Sequence, residues 1–224
     1  MKKVLIVGGA NDIGYTISKR LKELNYKIII GYHKNIYKKL DVEYQEIDVT
    51  NEDSINNCFN KHKNIDILIN LANICLDSYF LDKTKEEFMK VLETNLIGTF
   101  LLNKKYLENN NGIIINMSST DGIDTGNLYD IDYSVSKSGI ITLSRLLNNY
   151  NNKVYCLCPN YIDSDSTRSM NKEFLNQELI RIKQDRLITK EELTNVIEDI
   201  INNKYKDNIL RIDIKEGKLW IEKV

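Results

Sequence analysis

Residues 113–120 read Ile113-Ile114-Ile115-Asn116-Met117-Ser118-Ser119-Thr120, and after an acidic loop residues 133–140 read Tyr133-Ser134-Val135-Ser136-Lys137-Ser138-Gly139-Ile140. The run Ile113–Met117 has the length and the β-branched content of a buried strand. Two hydroxyls, Ser118 and Ser119, close it. Tyr133 and Lys137 open an amphipathic helical pattern, and residues at i and i+4 share one helix face. A lysine ammonium beside a phenol favours the phenolate, so Lys137 is expected to bring Tyr133 down from about 10 toward neutrality. Such a phenol can give and take back a proton as general acid or base. A serine at the end of the preceding strand can hydrogen-bond the same substrate oxygen. That is the equipment needed to protonate a carbonyl oxygen while hydride arrives at its carbon. Tyr-x-x-x-Lys alone is common in helices, so what decides is whether a nucleotide site lies upstream.

Upstream, the apolar run Val4–Val7 feeds Gly8-Gly9-Ala10-Asn11-Asp12-Ile13-Gly14 and then a helical pattern. Glycines at a strand-to-helix turn let the backbone approach a pyrophosphate seated on the helix N-terminus. Further strand-like runs follow at Ile28–Ile30, Val42–Ile47, Ile65–Ile69, Ile113–Met117, Val154–Leu157 and Ile209–Ile214. Helical periodicity occupies Ile13–Leu24, Glu52–His62, Lys85–Glu93, Leu96–Glu108, Tyr133–Tyr150, Lys172–Gln184 and Lys190–Asn203. Thr189 with Glu192 three residues on predicts a capping box for the last helix. The alternation predicts an α/β fold, a doubly wound and mainly parallel seven-stranded sheet with helices on both faces. With no repeat, low-complexity tract or linker, residues 1–224 are expected to form one domain.

The chain has 224 residues and a formal net charge of -1, with 28% charged residues interspersed rather than in blocks. That pattern is no footprint for nucleic acid or for an anionic membrane surface. No apolar run reaches the length of a membrane span. Met1-Lys2-Lys3 precedes an apolar run far too short for a signal peptide, so a cytoplasmic protein is expected. The four cysteines are Cys58, Cys75, Cys156 and Cys158, with no C-x-x-C, and His33 and His62 are remote from them in sequence. Buried reduced thiols are expected rather than disulfides or metal ligands. A single proline among abundant Ile, Asn and Lys indicates a composition bias, so asparagines carry less functional weight than usual.

The ends of the strand-like runs hold the other candidates, because ligands of open α/β sheets bind at strand carboxyl ends. The second run ends at Gly31-Tyr32-His33-Lys34, with no acidic residue before Asp41 to grip a ribose. His33 and Lys34 suit a 2′-phosphate; a solvated lysine at a turn is the plain alternative. Asp48-Val49 ends the third run, where a carboxylate can accept from an adenine amine. Asn70-Leu71-Ala72-Asn73 ends the fourth, Asn95 stands just ahead of Leu96–Glu108, and Pro159-Asn160-Tyr161-Ile162-Asp163-Ser164 follows the sixth.

In this order and spacing, these residues resemble the short-chain dehydrogenase/reductase family over essentially the whole chain, with a pattern like that of the 3-oxoacyl-carrier-protein reductases. The resemblance implies a Rossmann-type fold, a nicotinamide cofactor and a small carbonyl or alcohol substrate. It implies that Gly8, Asn11, Asp12, Ile13 and Gly14 form the cofactor turn. Asp48 and Val49 would meet the adenine, and Asn70, Leu71 and Ala72 would line the cofactor. In Pro159, Ile162 and Ser164 it implies the nicotinamide segment. Asn95, Ser119, Tyr133 and Lys137 match the catalytic tetrad. Tyr133 is then the general acid of reduction, Lys137 tunes it and binds the nicotinamide ribose, Ser119 positions the substrate oxygen, and Asn95 holds a water linking Lys137 to solvent. Ser119 is taken over Ser118 because the family uses the second position.

Three departures go from glycine to Asn or Asp: Asp12 in the turn, Asn73 after Asn-x-Ala, and Asn160 after proline. These residues best tolerate positive φ, so the glycine-like backbone is expected to persist. Val7 stands for the family's threonine, and Leu71 for an asparagine. Asp12 is expected to turn from the phosphates and cap the first helix. With His33 and Lys34, NADP is the expected cofactor, NAD remaining possible. A substrate lid is expected at about 165–188. It carries Arg168, Lys172, Arg181, Lys183, Arg186 and Lys190 against Glu173, Glu178 and Asp185, which suits an acidic carrier or coenzyme A. The loop holding Asp121, Asp124, Asp130 and Asp132 instead suits a polyol or sugar, and both segments can also be plain solvated surface. A non-catalytic dinucleotide sensor on the same fold is the rival from another class. The helices Leu96–Glu108 and Tyr133–Tyr150 are apolar around much of their circumference, and with the resemblance they predict a homodimer or homotetramer.

Overall fold

The computed structural model describes residues 1–151 and 153–224. The first strand, β1 (Lys3–Val7), lies between β2 (Lys27–Tyr32) and β4 (Ile67–Asn70), with β3 (Glu43–Glu46) outside β2. Beyond β4 the sheet continues through β5 (Ile113–Met117), β6 (Val154–Pro159), β7 (Ile209–Lys215) and β8 (Lys218–Lys223). All pairs are parallel except β7 with β8. The chain winds outward from β1 on one side and returns to the other at β4, leaving the crevice typical of a switch point at their carboxyl ends.

The central strands are apolar on both faces because both faces are covered. Val4 and Ile6 of β1 pack toward α1 (Asp12–Glu23) and α8 (Lys190–Ile201), with Ile17, Leu21, Leu193 and Ile197. Leu5 and Val7 face the other way, toward α2 (Glu52–Lys61) and α4 (Gly98–Asn109), with Ile55, Phe59, Leu102 and Tyr106. A third cluster joins Ile140 and Ile141 of α5 (Ile131–Tyr150) to Cys156 and Cys158 of β6. The remaining helices are α3 (Lys85–Leu92), the short α6 (Asp165–Arg168) and α7 (Lys172–Arg181).

The sheet has eight strands rather than the expected seven. β8 holds a three-residue apolar run, Leu219–Ile221, between charged ends, with Leu219 and Ile221 packed on the core, and that run is too short to stand out beside β7. Glu216 and Gly217 join the two strands, both at positive φ (52° and 70°), as a two-residue hairpin of this hand requires. The third strand is shorter than the apolar pattern suggested, Glu43–Glu46. α7 stops at Arg181 and α8 at Ile201, short of the predicted ends, with Lys183 and Asn203 beyond them at φ of 57° each. Thr189 and Glu192 do form the predicted capping box. Between α3 and α4 the helix widens into a π turn, Glu93–Ile97, which the sequence pattern does not reveal. Three of the four thiols are buried as expected, whereas Cys75 is exposed and donates to Asp77 Oδ1 at 3.1 Å.

Candidate active site

Parallel register brings the predicted segments together. Val7 pairs with Asn70, Asn70 with Asn116, and Asn116 with Cys156, so the carboxyl ends of β1, β4, β5 and β6 lie in a row. Gly8 (φ +69°) passes so close to the next segment that a Cβ there would stand 2.6 Å from Ala72 N. At Gly14 a Cβ would stand 2.3 Å from Gly9 O, so the turn closes on the helix only without side chains. Asn11 is the N-cap of α1, its Oδ1 accepting from Gly14 N at 2.8 Å. These features fit a pyrophosphate cradle at the start of α1.

Asp12 departs from expectation. It is the first residue of α1 rather than its cap, and its carboxylate turns to the segment after β6. Oδ2 accepts from Asp165 N and from Lys190 Nζ, both at 3.0 Å. The glycine-replacing residues Asp12, Asn73 and Asn160 are all absent from the positive-φ residues, so the glycine-like backbone expected there does not persist. Each instead uses its side chain. Asn73 Nδ2 donates to Leu71 O at 3.2 Å, and Asn160 Nδ2 to Asp213 Oδ1 at 2.9 Å.

At the adenine end, His33 and Lys34 are exposed after β2. His33 Nε2 stands 3.7 Å from Asp48 Oδ2. Burial raises the Asp48 carboxyl, but two hydrogen bonds from Thr50 and the nearby His33 and Lys34 outweigh it and leave it below the usual range. Val49 is buried against the α2–α4 face. Asn70 Nδ2 donates to Thr99 Oγ1 at 2.8 Å and its Oδ1 accepts from Ala72 N at 3.1 Å, while Leu71 N continues the ladder to Val7 O. Pro159 ends β6 and Ile162 bridges to Ile188. Ser164 is committed as the N-cap of α6, its Oγ accepting from Thr167 N at 3.2 Å.

Ser118 and Ser119 divide their work. Ser118 Oγ donates to Lys137 O at 2.8 Å and is buried. Ser119 Oγ accepts from Asp121 N and donates to Asp121 Oδ2 at 3.0 Å. Lys137, 1% exposed, donates to Met117 O at 3.0 Å, and its Nζ lies 5.0 Å from the centroid of the Tyr133 ring. Burial lowers the Lys137 pKa to about 8. The expected downward tuning of Tyr133 is not found in this state. Burial raises its phenol well above 10, Asp121, Cys75 and Asp130 add to the rise, and the Ser119 hydroxyl opposes it. Asn95 is wholly buried in the π turn, where its side chain accepts from Ile74 N at 2.8 Å and donates to Ile74 O and Ser136 Oγ. It thereby fixes the segment after β4 to the start of α5.

Three groups near Tyr133 carry weight that the sequence pattern did not assign. Lys83 and Asp132 form a buried pair at 3.0 Å that anchors the loop before α3 to the residue preceding Tyr133. Asp130 is raised to about 6 by burial and by Asp121. Asp121 itself stands beside Ser119. The charge contrast read from the sequence also resolves. Arg168, Arg181, Arg186 and Lys190 are paired with Asp163, Glu178, Glu192 and Asp12. In the acidic loop Asp124 pairs with Arg211 and Asp132 with Lys83, whereas Asp121 and Asp130 have no ion-pair partner among the described residues. The short-range signal for Asp121 was its place two residues after Ser119. Lys190 had none, because its partner is 178 residues away.

Comparison with known proteins agrees with this geometry. Residues 2–174 match the family model for short chain dehydrogenases. The 3-oxoacyl-[acyl-carrier-protein] reductase FabG of Aquifex aeolicus is 31% identical over 219 residues, covering 88% of each chain. The 3-oxoacyl-[acyl-carrier-protein] reductase MabA of Mycobacterium tuberculosis is 28% identical over 209 residues, covering 88% of this chain and 83% of its own. Among solved structures, ligand-free aldohexose dehydrogenase of Thermoplasma acidophilum superposes with a TM-score of 0.76 at 21% identity, covering 89% and 87% of the two chains. A short chain dehydrogenase family protein of Francisella tularensis superposes with a TM-score of 0.79 at 19% identity, covering 92% and 93%. With its glycine turn and its Ser-Tyr-Lys set at neighbouring strand ends, this chain belongs to the short-chain dehydrogenase/reductase family of oxidoreductases.

Proposed function

We propose that the protein is an NADP-preferring carbonyl reductase or secondary-alcohol dehydrogenase. The observation that carries this reading is the placing of Lys137 against Tyr133 and Met117, with Ser119 bonded to the Tyr133 phenol at the carboxyl end of β5, in register with the glycine turn after β1. Gly8, Asn11, Ile13 and Gly14 would hold the pyrophosphate, His33 and Lys34 the 2′-phosphate, Asp48 and Val49 the adenine. Asn70, Leu71 and Ala72 would line the middle of the cofactor, Pro159, Ile162 and Ser164 its nicotinamide end, and Tyr133 and Lys137 the ribose. The bound nicotinamide supplies or accepts hydride. Tyr133 keeps its proton at neutral pH, which suits a donor to a carbonyl oxygen. Lys137, with a pKa near 8, can replace that proton. Ser119 orients the substrate oxygen, and Asn95 holds the loop and helix that shape the pocket.

One observation favours a hydroxyl-rich substrate over an acyl thioester. The cations of the segment over the site are largely paired, while Asp121 and Asp130 beside Tyr133 are not. A polyol or sugar donates to such carboxylates; a phosphate-bearing acyl carrier is repelled. The segment 165–188 then acts as a substrate lid on a single domain. Arg181 reaches Thr125 O at 2.5 Å, tying α7 to the loop after Ser119. Ile97, Phe100, Val135 and Leu146 remain exposed on the π turn, α4 and α5, which supports a homodimer or homotetramer, checked by light scattering at micromolar concentration. The reading is tested by following oxidation of NADPH and NADH with acyl thioesters, keto sugars and quinones. No turnover with any of them, together with tight dinucleotide binding, would favour a sensor.

A further inference from the structure

Asp12 introduces a carboxylate at the start of the helix whose N-terminus faces the cofactor's phosphates in the reading above. An unpaired carboxylate there would oppose a dianionic pyrophosphate. The structure removes the problem from the far end of the chain. Lys190 Nζ sits 3.0 Å from Asp12 Oδ2, and the same oxygen accepts Asp165 N. Lys190 is free for this contact because the nearby Asp163 is held by Arg168 through two bonds of 2.7 Å.

The placement of Lys190 is locally unfavourable. It is the first residue of α8, where a cation opposes the helix dipole. Glu191 and Glu192 beside it follow the usual acidic preference. A lysine at that position therefore answers a tertiary need rather than a helical one. The side chains are 17% and 6% exposed for Lys190 and Asp12, so the pair is largely withdrawn from solvent. An anion arriving at the turn therefore meets a neutral pair in place of a lone carboxylate.

We propose that Lys190 is a cofactor-binding determinant of this chain, neutralising Asp12 so that the phosphate turn accepts a dinucleotide without the usual glycine. The inference rests on the dinucleotide reading of the glycine turn. It is tested by fluorescence titration of NADPH against the wild type, Lys190→Met, Asp12→Asn and the double variant, each with a melting curve. Lys190→Met is expected to weaken NADPH by about tenfold or more. Asp12→Asn, which leaves a free ammonium, is expected to bind as tightly as the wild type or more tightly. The double variant, neutral again, is expected to recover to within about threefold of the wild type. Lys190→Arg should bind like the wild type. If Lys190→Met melts like the wild type and binds NADPH equally well, the proposal is overturned. It is overturned as well if the double variant binds as poorly as Lys190→Met. A wild type that binds neither NADPH nor NADH would instead refute the dinucleotide reading itself.

Discussion

The candidate catalytic stretch and the glycine turn solve similar problems with partners at very different distances along the chain. Ser118 reaches Lys137 O, Ser119 reaches Asp121, and Lys137 reaches Met117 O, all within 20 residues. Asp12 in the turn is satisfied by Asp165 and Lys190, 153 and 178 residues on. A local group can be judged from its neighbours in sequence; a group completed from afar can be judged only once the fold is known. A departure from a family motif is therefore weak evidence of lost function until its tertiary partners are found.

The largest expected effect falls on the local side of this contrast. Tyr133→Phe should lower kcat by about 10²–10⁴-fold, the usual span for a lost proton donor. NADPH affinity, read by titration, should stay close to wild type, and retention of more than a few per cent of activity would mean the donor is misassigned. Lys83→Met comes next. It strips the counter-charge from fully buried Asp132 and should cost about 3–5 kcal/mol in denaturant unfolding, as broken buried pairs do. An unchanged midpoint would show that the catalytic stretch is anchored without that loop.

The start of α8 carries a second local contact, an acid-sensitive clasp whose partners lie within six residues. Arg186, with Thr189, holds Glu192 down to about 2 from its ordinary 4.5. A depressed carboxyl stabilises the fold above its unfolded pKa and loses that contribution as pH falls through the folded value. Stability should thus drop by roughly 1–3 kcal/mol between about pH 4.5 and 2, and Glu192→Gln should flatten that part of the melting-temperature profile. The smallest effect expected is that of Asp121→Asn. Removing a charge that raises the Tyr133 phenol should move the alkaline limb of the kcat profile for reduction down by about half to one pH unit. A limb that stays in place would take Asp121 out of the electrostatics of the site.

Most of the fold was legible because its strands are buried on both faces and its helices are amphipathic, as at Leu5 against Ile6 or Ile17 and Leu21. The eighth strand was not, since its apolar run is only three residues, Leu219–Ile221, and the strand is specified mainly by the Glu216–Gly217 turn. At the candidate site, the nearness of Lys137 to Tyr133 was legible from type and spacing. The protonation bias of Tyr133 was not, because it depends on burial and on Cys75 and Asp130 from separate loops. Asp12 was legible as a departure, but its cap role was wrong. Asn11 already fills the cap, leaving the carboxylate to find Lys190.

The π turn at Glu93–Ile97 makes the spacing around Asn95 a matter of counting. A helix that carries one extra residue per bulge turns the following segment by about 100° relative to an uninterrupted one. Deleting a single residue there would let the α-helix run through, and the chain before it would face a new direction. Asn95 would leave Ile74, and α3 would no longer keep its present direction relative to α4. One inserted residue thus sets the phase between α3 and α4 and, through Asn95, the position of the segment after β4. Insertions and deletions in this stretch should be far less tolerated than substitutions on its exposed positions.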